Sequence, residues 1–129
     1  MATVDINETE FEKLILEKGT VLVDFWAAWC GPCRSFAPVY EATSEKYPDL
    51  TFAKVDTEAE QSLAAAAGIT SIPTLMVFRD GVLLFSQPGA LPGTALEEII
   101  GKVAELDMDD VRKQIADQEL ATSKTDETA

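Results

Sequence analysis

The chain has 129 residues, of which 47% are hydrophobic and 26% are charged, a composition that predicts one globular domain with a substantial core. Its formal net charge is −13, from 23 acidic and 10 basic residues. Because such a surface repels phosphate backbones and acidic lipids, we expect no nucleic-acid partner and no membrane partner. High net charge also promotes solubility and by itself requires no partner.

The N-terminus and the cysteine count indicate the cellular compartment. Residues 1–5 show neither the basic region nor the apolar stretch of a secretory signal peptide, and no apolar run approaches the roughly 18 residues of a membrane span. We therefore expect a cytoplasmic protein. Its two cysteines, Cys30 and Cys33, are too few and too close together for the disulfide framework of a secreted protein. In a reducing compartment such a pair indicates redox chemistry or metal binding.

The first third of the chain predicts a strand, a helix and a second strand. Val4–Ile6 is a short candidate strand, and Asn7 followed three residues later by Glu10 predicts a capping box at a helix start. Thr20–Ala27 is nearly all apolar and rich in β-branched and aromatic residues, which predicts a strand buried on both faces. Asp24 is the only charged residue in that strand.

The middle of the chain continues the alternation of helix and strand. A second helix is expected to start at the cysteine pair and to run to about Tyr47, and Leu50–Asp56 is the next candidate strand. The alanine-rich segment Glu58–Ala67 predicts a third helix. Two further strands, Thr74–Arg79 and Val82–Gln87, are separated by an Asp-Gly pair that is typical of a hairpin turn.

The last predicted helix, Ala95–Glu105, is preceded by Thr94, which with Glu97 forms a second candidate capping box. The predicted order is β-α-β-α-β-α-β-β-α, an α/β arrangement. We expect the strands joined through helices to be parallel and the hairpin to add one antiparallel strand. The fold class is therefore a central mixed β-sheet flanked by helices.

The C-terminal end differs in composition from the predicted domain, residues 1–106. Residues 105–129 contain eight acidic and three basic residues, and we expect residues 107–129 to form an acidic tail. The spacing of Met108, Val111 and Ile115 predicts that this tail begins as a helical extension. Ala121–Ala129 has no large apolar side chain, so we expect its end to be disordered.

The position of the cysteines at a predicted helix start assigns them different roles. The unpaired N–H groups and the positive dipole end of the helix favour thiolate over thiol at Cys30, which we therefore expect to be the exposed nucleophile. Cys33 lies one turn inside the helix and is the candidate resolving residue. Two other interpretations remain open: a zinc site, which would need ligands from a second copy because the chain has no histidine and no third cysteine, and simple burial of both side chains.

Several segments, in order along the chain, resemble the landmarks of one family. Phe25–Arg34, which contains Trp-Cys-Gly-Pro-Cys, is similar to the active-site stretch of thioredoxins. Ser71–Thr74, Asp80–Gly81 and Gly89–Ala90 resemble later thioredoxin landmarks. The resemblance covers about residues 4–105 and implies a thioredoxin fold.

The resemblance also implies an activity and its partners. The chain would be a protein disulfide reductase in which Cys30 forms a mixed disulfide with a client protein and Cys33 resolves it. It would bind no cofactor and no metal, and its electrons would come from NADPH through a separate flavin-containing thioredoxin reductase. We expect a monomer. The alternatives are a non-catalytic thioredoxin-fold binding module and a redox protein dedicated to one partner.

Two charged residues are candidates for proton transfer. Burial of Asp24 without a partner would raise its pKa, which suits a group that accepts and returns protons. In the family a matching aspartate helps to deprotonate the resolving cysteine, which here is Cys33. Lys54 matches a lysine that modulates this aspartate. The alternatives are a solvated Asp24 at a strand edge and a Lys54 that is simply a surface residue.

The resemblance also implies a surface for client proteins. Pro73 matches a cis-proline that faces the cysteines, and the backbone of Ile72 would pair with an extended client segment as an added strand. An ordinary trans-proline at Pro73 and a Trp29 packed in the core are the alternatives. The residues expected to form the surface are Trp29, Gly31, Pro32, Ile72, Pro73, Gly89 and Ala90.

Overall fold

A computed structural model describes the backbone of residues 2–128 and the side chains of residues 2–120. The elements are β1 (Thr3–Asp5), α1 (Glu8–Leu14), β2 (Thr20–Trp26), α2 (Gly31–Lys46), β3 (Thr51–Asp56), α3 (Gln61–Ala66), β4 (Thr74–Arg79), β5 (Val82–Pro88), α4 (Gly93–Glu105) and α5 (Met108–Thr128). This order confirms the predicted fold class and adds one helix at the C-terminus. Within the described residues, no helix is both long enough and apolar enough to span a membrane.

The five strands form one mixed sheet in the order β1-β3-β2-β4-β5. The strands β1, β3 and β2 are parallel, whereas β4 runs antiparallel to β2 and β5 antiparallel to β4. The predicted parallel orientation of β4 is therefore wrong. β3 ends and β4 begins at the same edge of the sheet, because Asp56 is in register with Trp26 and Thr74 with Phe25. The intervening α3 has six residues, about 9 Å, and does not carry the chain back along the roughly 20 Å of a six-residue strand.

Helices cover both faces of the sheet and enclose two apolar clusters. Helices α1 and α3 contribute Phe11 and Leu63 to one cluster, which also contains Val23 and Phe25 of β2. The other cluster places α2 and α4 against the opposite face. Its buried members are Leu22, Phe36, Tyr40, Phe52, Leu75, Val77, Leu96, Ile100 and Val103. Because side chains alternate along a strand, Asp24 lies on the same face as Leu22, between β2 and these two helices.

The observed start of α1 agrees with the predicted one, whereas the starts of α3 and α4 differ from their predictions. The capping box at Asn7 is confirmed, since its side chain accepts from the Glu10 N–H while the Glu10 side chain accepts from the Asn7 N–H. The box predicted at Thr94 is wrong, because α4 begins at Gly93 with Pro92 as N-cap and Thr94 lies inside the first turn. Helix α3 starts at Gln61, three residues later than predicted. The residues before it form a turn instead, in which Asp56 Oδ1 accepts the Glu58 N–H.

The C-terminal helix α5 contacts the domain through its first turns. Met108 is buried, and Arg112 Nη2 donates to the Asp80 carbonyl oxygen at 3.4 Å. Arg79 Nη1 donates to the carbonyl oxygens of Val103 at 2.8 Å and Leu106 at 2.9 Å, which fixes the connection between α4 and α5. The backbone is helical as far as Thr128, in contrast to the disordered end expected from composition, and no glycine or proline interrupts it. The boundary at residue 106 stays a prediction.

Candidate active site

The turn between β2 and α2 places both cysteines at the N-terminus of α2. Cys30 is the N-cap residue, with the extended dihedral angles φ −86° and ψ 113°. The Cys33 N–H donates to Cys30 Sγ at 3.1 Å, so the sulfur occupies the place of an N-cap oxygen. The two residues form a disulfide with their Cα atoms 5.2 Å apart. The structure therefore brings the sulfurs together as the spacing predicts.

Both cysteines are buried in this disulfide form. Cys30 is 4% exposed and Cys33 is 2% exposed, so the expectation of an exposed Cys30 is not met here. The cause is close packing, since the pair lies against Ala27, with Trp26 and Ile72 alongside. Within the described residues no group of three or more histidine, cysteine, aspartate or glutamate side chains could hold a metal ion.

Two loops that the sequence singled out lie together beside the cysteines. The Ile72–Pro73 peptide bond is cis, and the Ile72 carbonyl oxygen lies 3.7 Å from Cys30 Sγ. The Gly89 N–H donates to the Pro73 carbonyl oxygen at 2.7 Å, at a glycine whose φ of +109° an L side chain rarely adopts. This hydrogen bond joins the loop after β5 to the loop before β4. Gly89, Ala90, Gly31 and Pro32 are all exposed.

Trp29 lies on the surface next to the cysteines and not in the core. Its side chain is 66% exposed, and its Nε1–H donates to Glu58 Oε1 at 2.7 Å. Glu58 is a site residue that the sequence analysis missed, because the pairing spans 29 residues and leaves no local pattern. A shallow pocket of about 180 Å³ adjoins the indole. Its lining residues are Trp29, Thr57, Ala64, Ile69, Thr70, Ser71 and Ile72.

Asp24 is buried in the centre of the sheet. Its side chain is 0% exposed, and neither carboxylate oxygen has a hydrogen-bond partner among the described residues. Burial raises the pKa of Asp24 from its ordinary value of 3.8 to about 7, and the positive charge of Lys54 partly opposes this rise. The solvated strand edge that the sequence left open is therefore wrong. With this pKa, the carboxyl group can both accept and release a proton near neutral pH.

Lys54 lies opposite Asp24 in the register of β2 and β3, but it is not paired with it. Its side chain is half-buried, and its Nζ lies 4.8 Å from the centroid of the Trp26 ring, at a distance typical of a cation–π contact. Trp26, which belongs to the strand predicted to be buried on both faces, is half-buried, and its Nε1 has no hydrogen-bond partner among the described residues. The interpretation of Lys54 as a plain surface lysine therefore does not fit.

Comparison with known proteins identifies the family. Residues 2–102 match the family model described as Thioredoxin. The chain is 53% identical over 118 residues to a putative thioredoxin 2 of Streptomyces coelicolor, covering 92% of this chain and 88% of the relative. It is 41% identical over 103 residues to thioredoxin of Bacillus subtilis, covering 79% of this chain and 98% of the relative.

Solved structures agree with the sequence relatives. A mutant thioredoxin from Halobacterium salinarum is 35% identical with a TM-score of 0.74, covering 81% of this chain and 93% of that structure. Thioredoxin from Plasmodium falciparum is 36% identical with a TM-score of 0.70, covering 78% of this chain and 97% of that structure. The chain therefore belongs to the thioredoxin family of thiol–disulfide oxidoreductases, and Cys30 and Cys33 form its redox-active disulfide.

Proposed function

We propose that Cys30 is the nucleophile when this chain reduces a protein disulfide. In the reduced form the Cys30 thiolate attacks one sulfur of the client disulfide, a mixed disulfide forms, and the other client sulfur leaves as a thiolate. The observation that supports this role most strongly is the position of Cys30 at the N-cap of α2, where its sulfur accepts the Cys33 N–H. The same hydrogen bond and the helix dipole stabilise the thiolate.

Cys33 then resolves the mixed disulfide, with Asp24 as the proton acceptor. The Cys33 thiol gives its proton to the Asp24 carboxylate, its sulfur attacks Cys30 Sγ, and the second client sulfur leaves as a thiolate. Two electrons have then passed from the dithiol to the client. The burial of Asp24 on the α2 side of the sheet and its pKa of about 7 support this role, because an ordinary carboxylate is too weak a base for a thiol. Lys54 modulates the basicity of Asp24.

The client docks on the residues around the cysteines, which are exposed except for the half-buried Ile72 and the buried Pro73. An extended client segment pairs with the backbone of Ile72, and its side chains contact the surface formed by the loops beside Cys30. The exposure of the indole and the short distance between Ile72 O and Cys30 Sγ support this docking site. The residues of this surface are Trp29, Gly31, Pro32, Ile72, Pro73, Gly89 and Ala90.

Thioredoxins act on disulfide-containing proteins and are reduced by a reductase partner. For this chain we infer a separate flavin-containing thioredoxin reductase that passes electrons from NADPH to the Cys30–Cys33 disulfide. We also infer a monomer that works in the cytoplasm, in which residues 1–106 carry the activity and residues 107–129 form an appended acidic segment. The absence of a glycine-rich dinucleotide motif from the sequence supports a reductase on another chain.

Turnover of a protein disulfide with NADPH and a bacterial thioredoxin reductase tests this proposal. The wild-type chain should support continuous NADPH oxidation that depends on the disulfide substrate. The variants Cys30→Ser and Cys33→Ser should not support it, because each lacks half of the dithiol. If both variants bind the same client as tightly as the wild type and none of the three proteins consumes NADPH, the chain acts as a binding module instead.

A further inference from the structure

Trp26, the last residue of β2, contacts the cysteine pair on one side and a lysine on the other. Its side chain packs against the cluster that contains Cys30 and Cys33. The centroid of its ring lies 4.8 Å from Lys54 Nζ. Because side chains alternate along a strand, Trp26 projects from the same face as Asp24, two residues earlier. The indole is therefore a neighbour of every group in the proposed proton transfer.

Lys54 has two neighbours on β2 and contacts only one of them. It is in register with Asp24, one strand spacing of about 4.8 Å away, and Trp26 lies about 7 Å further along β2. The ammonium lies over the Trp26 ring, while neither carboxylate oxygen of Asp24 has a hydrogen-bond partner in the described part of the chain. The side chain of Lys54 thus leans along the sheet to the ring and leaves the facing carboxylate unpaired.

Hydration and the ring face explain this choice. Lys54 and Trp26 are both half-buried and line a surface cleft of about 420 Å³, to which Asp24 does not contribute. An ammonium over the ring therefore keeps part of its water and gains a cation–π contact, which is strongest with tryptophan. Pairing with Asp24 would take the ammonium to a carboxyl group that is 0% exposed, at the cost of that water.

The acidic residues of the cleft do not hold the lysine by an ion pair. Asp5, Glu10, Asp56 and Glu60 line the cleft, but within residues 2–120 none of them is an ion-pair partner of Lys54. Their charges act on the ammonium from the solvent side. They stay in place when Trp26 alone is replaced, so a change seen in a Trp26 variant is not a change in these carboxylates.

The other groups that face Asp24 supply no second cation. From α2, Tyr40 faces it with a phenol that donates to the Ala53 carbonyl oxygen at 2.8 Å, and the two cysteines are joined in a disulfide. From β4 the residue in register is Leu75. The members of α4 in the same cluster are all apolar: Leu96, Ile100 and Val103. The position of the Lys54 ammonium is therefore the electrostatic variable at this site.

We propose that Trp26 is a positioning residue: its ring holds the Lys54 ammonium at the cleft and so keeps it from pairing with Asp24. The consequence is a more basic Asp24, because a lysine held on the ring stabilises the buried carboxylate less than a paired one would. The importance of Trp26 for the reaction rests on the proposed function of Asp24. Its hold on Lys54 does not, and it can be measured separately.

Proton NMR of the full wild-type chain, with the disulfide kept oxidised, tests the contact without any substitution. The Hε protons of Lys54 should resonate upfield of those of an ordinary lysine, because groups above an aromatic ring are shielded. This upfield shift should persist at pH 8.5, where Asp24, with its pKa of about 7, is ionised. Loss of the shift as Asp24 ionises would overturn the proposal, since the lysine would then have moved from the ring to the carboxylate.

Carboxyl-carbon NMR of the same oxidised chain measures the pKa of Asp24 in variants. Trp26→Leu removes the ring face and should lower this pKa by about 1, the size expected when a lysine pairs with the carboxylate. Trp26→Phe keeps a weaker ring face and should lower it by less. Phe52→Leu is the matched control, because Phe52 is buried on the same face, two residues before Lys54 on β3. It should leave the pKa within about 0.2 of the wild-type value.

A Lys54→Met background separates movement of the lysine from entry of water beside Asp24. There, Trp26→Leu should lower the Asp24 pKa by less than half as much as it does in the wild type. Equal falls in both backgrounds, an equal fall in Phe52→Leu, or no fall in Trp26→Leu would overturn the proposal. If Asp24→Asn leaves the rate of mixed-disulfide resolution unchanged, it is the proposed proton transfer that fails, and the measured shifts and pKa values still decide the role of Trp26.

Discussion

The indole Nε1–H of Trp29, in the loop before α2, donates to Glu58 Oε1, in the turn between β3 and α3, at 2.7 Å. This bond fixes an aromatic side chain that is 66% exposed, directly before Cys30, the proposed nucleophile. An exposed tryptophan without such a partner would sample several rotamers and lose that freedom on binding a client. The hydrogen bond therefore preorganises one wall of the proposed client surface.

Replacing Glu58 should weaken client binding without changing the chemistry. Glu58→Ala should raise the KM for a protein disulfide about threefold and leave kcat unchanged, because the cost of ordering Trp29 is then incurred during binding. Glu58→Gln retains an acceptor oxygen and should stay close to the wild-type KM. A fall in kcat with unchanged KM in the alanine variant would contradict a role in positioning the indole. Steady-state kinetics with a small disulfide, which does not contact Trp29, provides the control.

The N-cap position of Cys30 predicts unequal acidity of the two thiols. In the reduced form, the thiol pKa of Cys30 should lie at least one pH unit below the ordinary value of about 8.5, and that of Cys33 should not. Ultraviolet titration of thiolate in the variants Cys33→Ser and Cys30→Ser measures each group alone. A higher pKa at Cys30 than at Cys33 would reverse the roles assigned to them.

Asp24→Asn should slow only the resolution of the mixed disulfide by Cys33. Without a carboxylate to take its proton, Cys33 should resolve the mixed disulfide at least tenfold more slowly at pH 7, while formation of the mixed disulfide by Cys30 is unchanged. Stopped-flow measurement of the two phases distinguishes these steps. A wild-type rate of resolution in the variant would remove Asp24 from the mechanism.

The same substitution should stabilise the fold above neutral pH. The folded-state pKa of Asp24, about 7, lies above the ordinary value of 3.8, so folding favours the protonated form. The stability that protonated Asp24 contributes to the fold is fully present below pH 3.8 and is lost as pH rises through about 7. A pKa difference of this size corresponds to about 4 kcal/mol. Denaturant unfolding at pH 8.5 should therefore show Asp24→Asn to be more stable by a value of that order, with little difference at pH 3.5.

The first turn of α5 packs against the domain through the buried Met108, as the spacing of apolar residues at the start of the tail indicates. Removal of residues 108–129 should lower the free energy of unfolding by about 2 kcal/mol, because it takes away the buried Met108 side chain. Removal of residues 119–129 should change it by less than about 0.5 kcal/mol, because Glu119 and Leu120 are exposed. Equal stability of both truncated chains would show that the contact of Met108 contributes nothing.

The sequence predicts this fold well where the determining signals are local. The capping box at Asn7 and the strand that carries Asp24 follow from short patterns and appear in the structure. The direction of β4 does not follow, because it depends on where the chain re-enters the sheet after α3. The contacts of Glu58 with Trp29 and of Lys54 with Trp26 join distant segments, so they required the structure.

The two cysteine roles can be tested together by trapping the covalent intermediate. When oxidised cell extract is incubated with Cys33→Ser, protein adducts should accumulate through Cys30, because no internal thiol remains to release the client. Cys30→Ser should accumulate few adducts, since the thiol at the helix N-terminus is gone. Both sets of adducts are scored by non-reducing electrophoresis and should disappear on addition of a reductant. Trapping by Cys33→Ser alone is the predicted result, and equal trapping by the two variants would contradict the assignment of Cys30 as the nucleophile.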